Sequence, residues 1–172
     1  MPLSAIHIRP AAPSDADAIR TIYNAEVTGD TNTFDLVPWT AAEQGAWLDR
    51  HRGAHPAVVA TAAAGGSDAG AVLGFGALSP YRDRPAYATT VENSVYVDAG
   101  RRGAGVGRAL LDELLGLAAN HGFHAVVARI VGHNEASIRL HLACGFEMVG
   151  TEREVGRKHG RWLDVVELQR LL

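Results

Sequence analysis

The chain has 172 residues, 47% hydrophobic and 20% charged, with a formal net charge of −3 at pH 7. That length suits one soluble domain over residues 1–172, and the slight acidity argues against nucleic-acid binding, which calls for a basic excess. Cys144 is the only cysteine, MPLSAIHIRPAAP lacks the charged and apolar regions of a signal peptide, and no apolar run nears the roughly 18 residues of a membrane span, so a cytoplasmic protein away from membranes is expected.

IHIRPA, from Ile6 to Ala11, alternates apolar and polar residues and predicts a first strand. SDADAIRTIYNAEV follows with Ser14 and Asp17 at capping-box spacing and with Ile19, Ile22, Tyr23 and Val27 on one helical face. A Thr-rich loop holds Phe34 and Trp39, each a candidate for pocket wall or core. Thr40 and Glu43 then repeat the capping-box spacing ahead of a second helix, AAEQGAWLDRHRG, which stops by Gly53 and Pro56. AVVAT and AVLGFGALS read as strands around a flexible hairpin loop, AAAGGSDAG. SPYRDRPAYATT, with two prolines and three charges, reads as a surface loop.

TVENSVYV alternates again, with Val91, Asn93, Val95 and Val97 on one face and Glu92, Ser94 and Tyr96 on the other. VDAGRRGAGVGR leads into a helix whose buried stripe is Leu110, Leu111, Leu114, Leu115 and Ala118. HAVVARIV is a strand, NEASIRLHLACG a helix closed by Gly145 in the left-handed conformation, and FEMVGTEREV and RWLDVVELQRL are strands around a GRKHG turn. The order β-α-α-β-β-β-α-β-α-β-β predicts an α/β fold, a central mixed β-sheet flanked by helices.

Gly103, Gly105 and Gly107 stand at the mouth of a helix, where backbone amides are free to hold an anion. The lysine of a phosphate-binding P-loop is missing, and the spacing places the third glycine one position early for a dinucleotide fingerprint. What remains is a strand, the run RRGAGVG and a helix whose amides face a pyrophosphate, with Arg101, Arg102 and Arg108 adding positive charge. No spaced Cys, His and Asp set, His121 and His124 included, reads as a metal site, and Cys144 reads as a buried thiol at a helix end.

RRGAGVGRALL resembles the pyrophosphate-binding motif of the GNAT-type N-acetyltransferases, and the order of elements is that of their fold. TVENSVYV, NEASIRLH, Gly145-Phe146 and EVGRKHGRWLDVVELQR further resemble the phosphinothricin acetyltransferase group, whose relatives also acetylate methionine sulfoximine and methionine sulfone. The resemblance implies an acetyl-CoA-dependent N-acetyltransferase that acetylates a small-molecule amine by direct attack on the thioester, with no metal. Other readings are an acetyltransferase for another small amine or a protein N-terminus, a non-catalytic acetyl-CoA-binding module and, more distantly, a nucleotide-binding oxidoreductase.

By the same resemblance, acetyl-CoA is held by Val95, Tyr96 and Val97, by the segment Arg102, Gly103, Ala104, Gly105, Val106, Gly107 and Arg108, and by Asn134, which also reads as a helix N-cap. Glu92, a carboxylate among apolar neighbours, is the candidate general base or substrate ligand. Its alternative is a solvent-facing residue or an ion-pair partner of Arg82 or Arg84. His141 stands where many GNAT members have tyrosine and reads as a substrate contact, a proton relay or a structural histidine. Arg82, Asp83, Arg84 and Tyr87, together with Glu92, Asn93, Ser94 and His141, are the candidate acceptor contacts. Lys158, His159, Arg161 and Trp162 shape either the acceptor pocket or the interface of an expected homodimer.

Overall fold

A computed structural model describes residues 6–63 and 68–172. Strand β1 (Ile6–Pro10) leads to helices α1 (Ala16–Gly29) and α2 (Ala41–Arg50), then to strands β2 (Ala57–Ala62), β3 (Val72–Pro80) and β4 (Thr90–Val97). Helix α3 (Val106–Asn120), β5 (Ala125–Val131), α4 (Glu135–Ala143), β6 (Glu147–Lys158) and β7 (Arg161–Leu171) complete the chain in the order expected. Part of the hairpin loop read from AAAGGSDAG, residues 64–67, lies outside the described residues. Among those described, no helix is long and apolar enough to cross a membrane.

The seven strands form one sheet in the order β1-β2-β3-β4-β5-β7-β6. Among the described residues only β4 and β5 pair in parallel; the other neighbours are antiparallel. Helix α3 buries the expected leucines and Ala118 against one face of the sheet, where α4 also contributes Ile138 and Leu140. Helices α1 and α2 cover the opposite face through Ile19, Ile22, Tyr23, Val27 and Leu48. The alternation of β4 therefore divides its side chains between two cores. Val91, Val95 and Val97 face α3, and Tyr96 packs with the α1 and α2 aromatics.

Local signals are kept where nothing competes with them. Thr40 Oγ1 accepts the Glu43 amide at 3.3 Å while Glu43 Oε2 accepts the Thr40 amide at 2.8 Å, closing the box that starts α2. His159 and Gly160, at φ 49° and 74°, make the two-residue turn between β6 and β7, a twist that suits a hairpin. The Ser14 and Asp17 box does not form. Residues Pro13–Asp15 make a short 3-10 turn before α1. Asp15 accepts the Ala12 amide at 2.8 Å and both arms of the Arg9 guanidinium at 2.6 and 2.8 Å. That part-buried fork, which holds the Asp15 carboxyl below the usual carboxylate range, outcompetes an exposed serine cap. Asp17 is left to an exposed pair with Arg20.

Candidate active site

The parallel pairing of β4 with β5 lasts only from Thr90 to Glu92, opposite Ala125 to Val127. Beyond it β4 continues beside β3 as far as Val97, and β5 beside β7 as far as Val131. The two strands thus part in the middle of the sheet. A cleft of about 150 Å³ opens there, walled by residues 92–96 of β4 and 128–131 of β5. The backbone of 93–97 keeps its β3 ladder but has no β5 ladder, leaving peptide groups available to an extended ligand. Tyr96 turns its side chain to the α1 face, so only its backbone shares the edge offered by Val95 and Val97.

A second cavity, about 380 Å³, adjoins the first through the shared walls Val95, Asn134 and Ser137. It is bounded by Gly103, Gly105 and Gly107 and by Arg101, Arg102 and Arg108, without an acidic residue in its wall. Gly103 and Gly105 take φ of 75° and 86°, conformations that would strain any side-chain-bearing residue. Gly105 is the N-cap of α3 and brings no side chain to its first amides, which have no partner inside the helix. An uncapped helix N-terminus beside three arginines suits a pyrophosphate.

Of the arginines, Arg102 meets Glu26 of α1, Arg101 meets Asp68, and Arg108 Nε lies 2.7 Å from Asp112. Asn134 Oδ1 accepts the Ser137 amide at 3.1 Å, the cap read from sequence, and Asn134 Nδ2 donates to Asn32 Oδ1 at 3.1 Å. Glu26 Oε2 also accepts from Asn32 at 2.7 Å. The end of α1 is thereby tied across the cleft to both the glycine loop and the start of α4.

Glu92 lines the cleft. Burial pushes its carboxyl above the usual range; Arg129 opposes the shift and the Glu167 charge adds to it. The expected partners Arg82 and Arg84 do not fill that role. Arg82 lies over the rings of Tyr81 and Tyr87, 4.7 and 5.4 Å from their centroids, and Arg84 begins the short turn Pro85–Tyr87. Arg82, Asp83 and Arg84 are exposed, outside the walls of both cavities. A carboxyl raised above its ordinary range is suited to receiving a proton.

His141 is buried at the cleft wall. Its Nδ1–H donates to the Ser137 carbonyl at 2.8 Å, which leaves Nε2 to accept from Asn93 Nδ2 at 2.9 Å. Burial lowers its pKa, countered by the Ser137 bond. So bonded, the neutral ring has both nitrogens engaged, its proton by Ser137 and its lone pair by Asn93. Asn93 Oδ1, also buried, has no partner. Ser94 faces the α1 side with Glu92.

Lys158 is buried, donating to the Thr33 carbonyl at 2.9 Å and the Glu26 carbonyl at 3.5 Å. Phe34 rests over Gly156 of β6, where a Cβ would come within 2.3 Å of its ring. Trp162 is 60% exposed, with the Arg157 guanidinium 5.4 Å from its centroid. Sequence reasoning passed over Glu26, Asn32, Arg129 and Ser137. Glu26 carried a readable signal: it falls on the stripe of Ile19, Ile22, Tyr23 and Val27, where a carboxylate must be paired. Among the described residues, no cluster of His, Cys, Asp or Glu could hold a metal ion.

Residues 17–146 match the model of the Acetyltransferase (GNAT) family. The chain is 42% identical over 169 residues to the phosphinothricin N-acetyltransferase of Streptomyces coelicolor, covering 97% of this chain and 96% of that one. It is 40% identical over 163 residues to the L-methionine sulfoximine/L-methionine sulfone acetyltransferase of Pseudomonas paraeruginosa, covering 94% and 92%. A solved GNAT superfamily phosphinothricin acetyltransferase from Sinorhizobium meliloti, in complex with AcCoA, matches with a TM-score of 0.91 and 38% identity over 98% of this chain and 89% of that one.

Proposed function

The chain belongs to the acetyltransferase (GNAT) family, and from that membership we propose that its acceptor is the amine of a small amino acid analogue of the phosphinothricin, methionine sulfoximine or methionine sulfone type. It is an acetyl-CoA-dependent N-acetyltransferase. The observation that carries the reading is the cleft where β4 leaves β5, with a raised carboxyl at its vertex and an uncapped helix N-terminus in the cavity that adjoins it.

Acetyl-CoA supplies the acetyl thioester. The amides of Val106, Gly107 and Arg108, with the Arg102 side chain, receive its pyrophosphate. The open edge of Val95, Tyr96 and Val97 binds its extended arm as a strand would be bound. Glu92 takes a proton from the incoming ammonium, directly or through one water, so that the free amine can attack. Free N–H groups along the same edge stabilise the developing oxyanion, whose collapse breaks the C–S bond and expels the CoA thiolate, which takes up the second proton lost by the attacking nitrogen. Asn93 and His141 brace each other across the cleft and orient the acceptor. Arg82, Arg84 and Tyr87 meet its carboxylate at the loop before β4, with Asp83 beside them.

A homodimer is part of the same proposal, supported by exposed Met148, Val149, Val155 and Trp162 on the β6–β7 edge of the sheet, and a cytoplasmic location is proposed with it. A thiol-release screen tests the acceptor class. With acetyl-CoA, methionine sulfoximine, methionine sulfone or phosphinothricin should outperform other amino acids, short peptides and polyamines. Spermidine outperforming every amino acid would refute the acceptor while sparing the fold.

A further inference from the structure

On the α1 and α2 side of the sheet lies a third cavity, of about 320 Å³. Its place is set by register. Ser79 of β3 stands directly opposite Glu92, and Ser94 follows Glu92 on the same face of β4; both serines line this cavity. It therefore begins beside Glu92 and extends along β3 and β4 to Phe75 and Tyr96, beneath α2. Its walls are aromatic: Tyr23 and Trp39 have centroids 4.7 Å apart, Phe75 and Tyr96 5.2 Å, Trp47 and Phe75 5.8 Å.

Two polar groups in the wall have settled partners. Asp35 Oδ2 accepts from Tyr23 and from Trp39 Nε1, each at 2.8 Å. His51 donates from Nδ1 to the Trp47 carbonyl at 2.8 Å and accepts from Ser79 Oγ at 3.0 Å. Gln44 differs. It is wholly buried, yet neither its Nε2 nor its Oε1 has a hydrogen-bond partner. A buried amide with both ends unsatisfied is costly and rare in a folded protein, and here it stands in a cavity wall.

We propose that this cavity receives the acceptor's side chain, and that Gln44 recognises an uncharged head carrying a hydrogen-bond donor beside an acceptor. This rests on the proposed function, since it assumes an amine delivered at Glu92. A sulfoximine presents N–H and S=O on one tetrahedral centre and can meet the carbonyl and the amino group of Gln44 together. A sulfone offers acceptors alone and satisfies only the amino end. A phosphinate brings a negative charge toward Asp35, while Arg50, the cation of the wall, is exposed. The aromatic rings suit the apolar chain that leads to such a head.

The test compares wild-type protein with Gln44→Leu in steady-state assays using acetyl-CoA and methionine sulfoximine, methionine sulfone or phosphinothricin. The expected result is a rise in KM for sulfoximine of about tenfold or more, a smaller rise for sulfone and an unchanged KM for acetyl-CoA. Equal KM values for sulfoximine in both proteins would overturn the proposal. A second measurement covers a variant that does not fold. The chain has three tryptophans, and in Trp162→Phe the remaining emission comes from Trp39 and Trp47, both in the cavity wall. Sulfoximine should perturb that emission saturably, whereas silence at concentrations that saturate turnover would refute the subsite. Turnover of the three acceptors with no Gln44 or fluorescence effect sinks the subsite alone. Turnover of none of them sinks the proposed acceptor class.

Discussion

Replacing Glu92 by glutamine keeps the shape and hydrogen-bonding reach of the side chain and removes its charge, which separates a proton acceptor from a structural residue. If Glu92 draws the proton from the ammonium, kcat should fall by roughly 100-fold or more, about 2.7 kcal/mol of transition-state stabilisation. The carboxyl is raised chiefly by burial, with Arg129 acting against the shift and Glu167 with it. Wild-type kcat/KM should therefore rise with pH through a value above the ordinary glutamate range. In Glu92→Gln that limb should vanish, and the deficit should narrow as pH rises because more acceptor arrives deprotonated. Stability should move the other way. Between the ordinary and the raised value the folded state binds the extra proton, so the folded protein loses stability as pH rises through that window. Above that window the ionised Glu92 is a cost that glutamine removes, and the melting temperature of the variant should there hold or increase. Thiol release followed from pH 4.5 to 9, with calorimetric acetyl-CoA binding as the control, reads these effects. Near-normal turnover of the variant at pH 7 would refute the reasoning.

Gly105→Asp should sharply weaken CoA binding in a calorimetric titration, because it puts a carboxylate where the α3 amides face the pyrophosphate and forces an L residue to φ 86°; unchanged affinity would remove the glycine loop from the cofactor site. Gly74→Ala should lower stability by about 1–3 kcal/mol in denaturant unfolding, the usual cost of overpacking. Its Cβ would sit 2.7 Å from the Tyr96 carbonyl oxygen, a backbone atom of β4 that cannot swing aside; an unaffected midpoint would show that β4 moves away from β3 easily.

The features legible in the chain are those whose causes lie within a few residues of one another. The stripe of α3, the Thr40 and Glu43 box, the Asn134 cap and the left-handed Gly145 all follow from nearest-neighbour geometry, and each stands as read. So does the division of β4 between two faces, because a pleated strand alternates whatever it packs against. The Ser14 and Asp17 box had equally good local spacing and lost, since Arg9 of the preceding strand reaches Asp15 and a part-buried two-armed ion pair outweighs an exposed cap.

Alone, then, the sequence determined the order of elements, the glycine loop and the candidacy of Glu92, through periodicity and the special backbone freedom of glycine. Tertiary structure decided that β4 and β5 part after Glu92, that Arg129 rather than Arg82 or Arg84 is the cation acting on that carboxyl, and that Asn93 and His141 meet. It also decided that Glu26 ties α1 to Arg102 and that Gln44 is buried with its amide unmet. The physical reason is common to all of these. A charge's partner, the burial of a polar group and the spacing of two strands depend on segments far apart in the chain, brought together only when both cores close on the sheet.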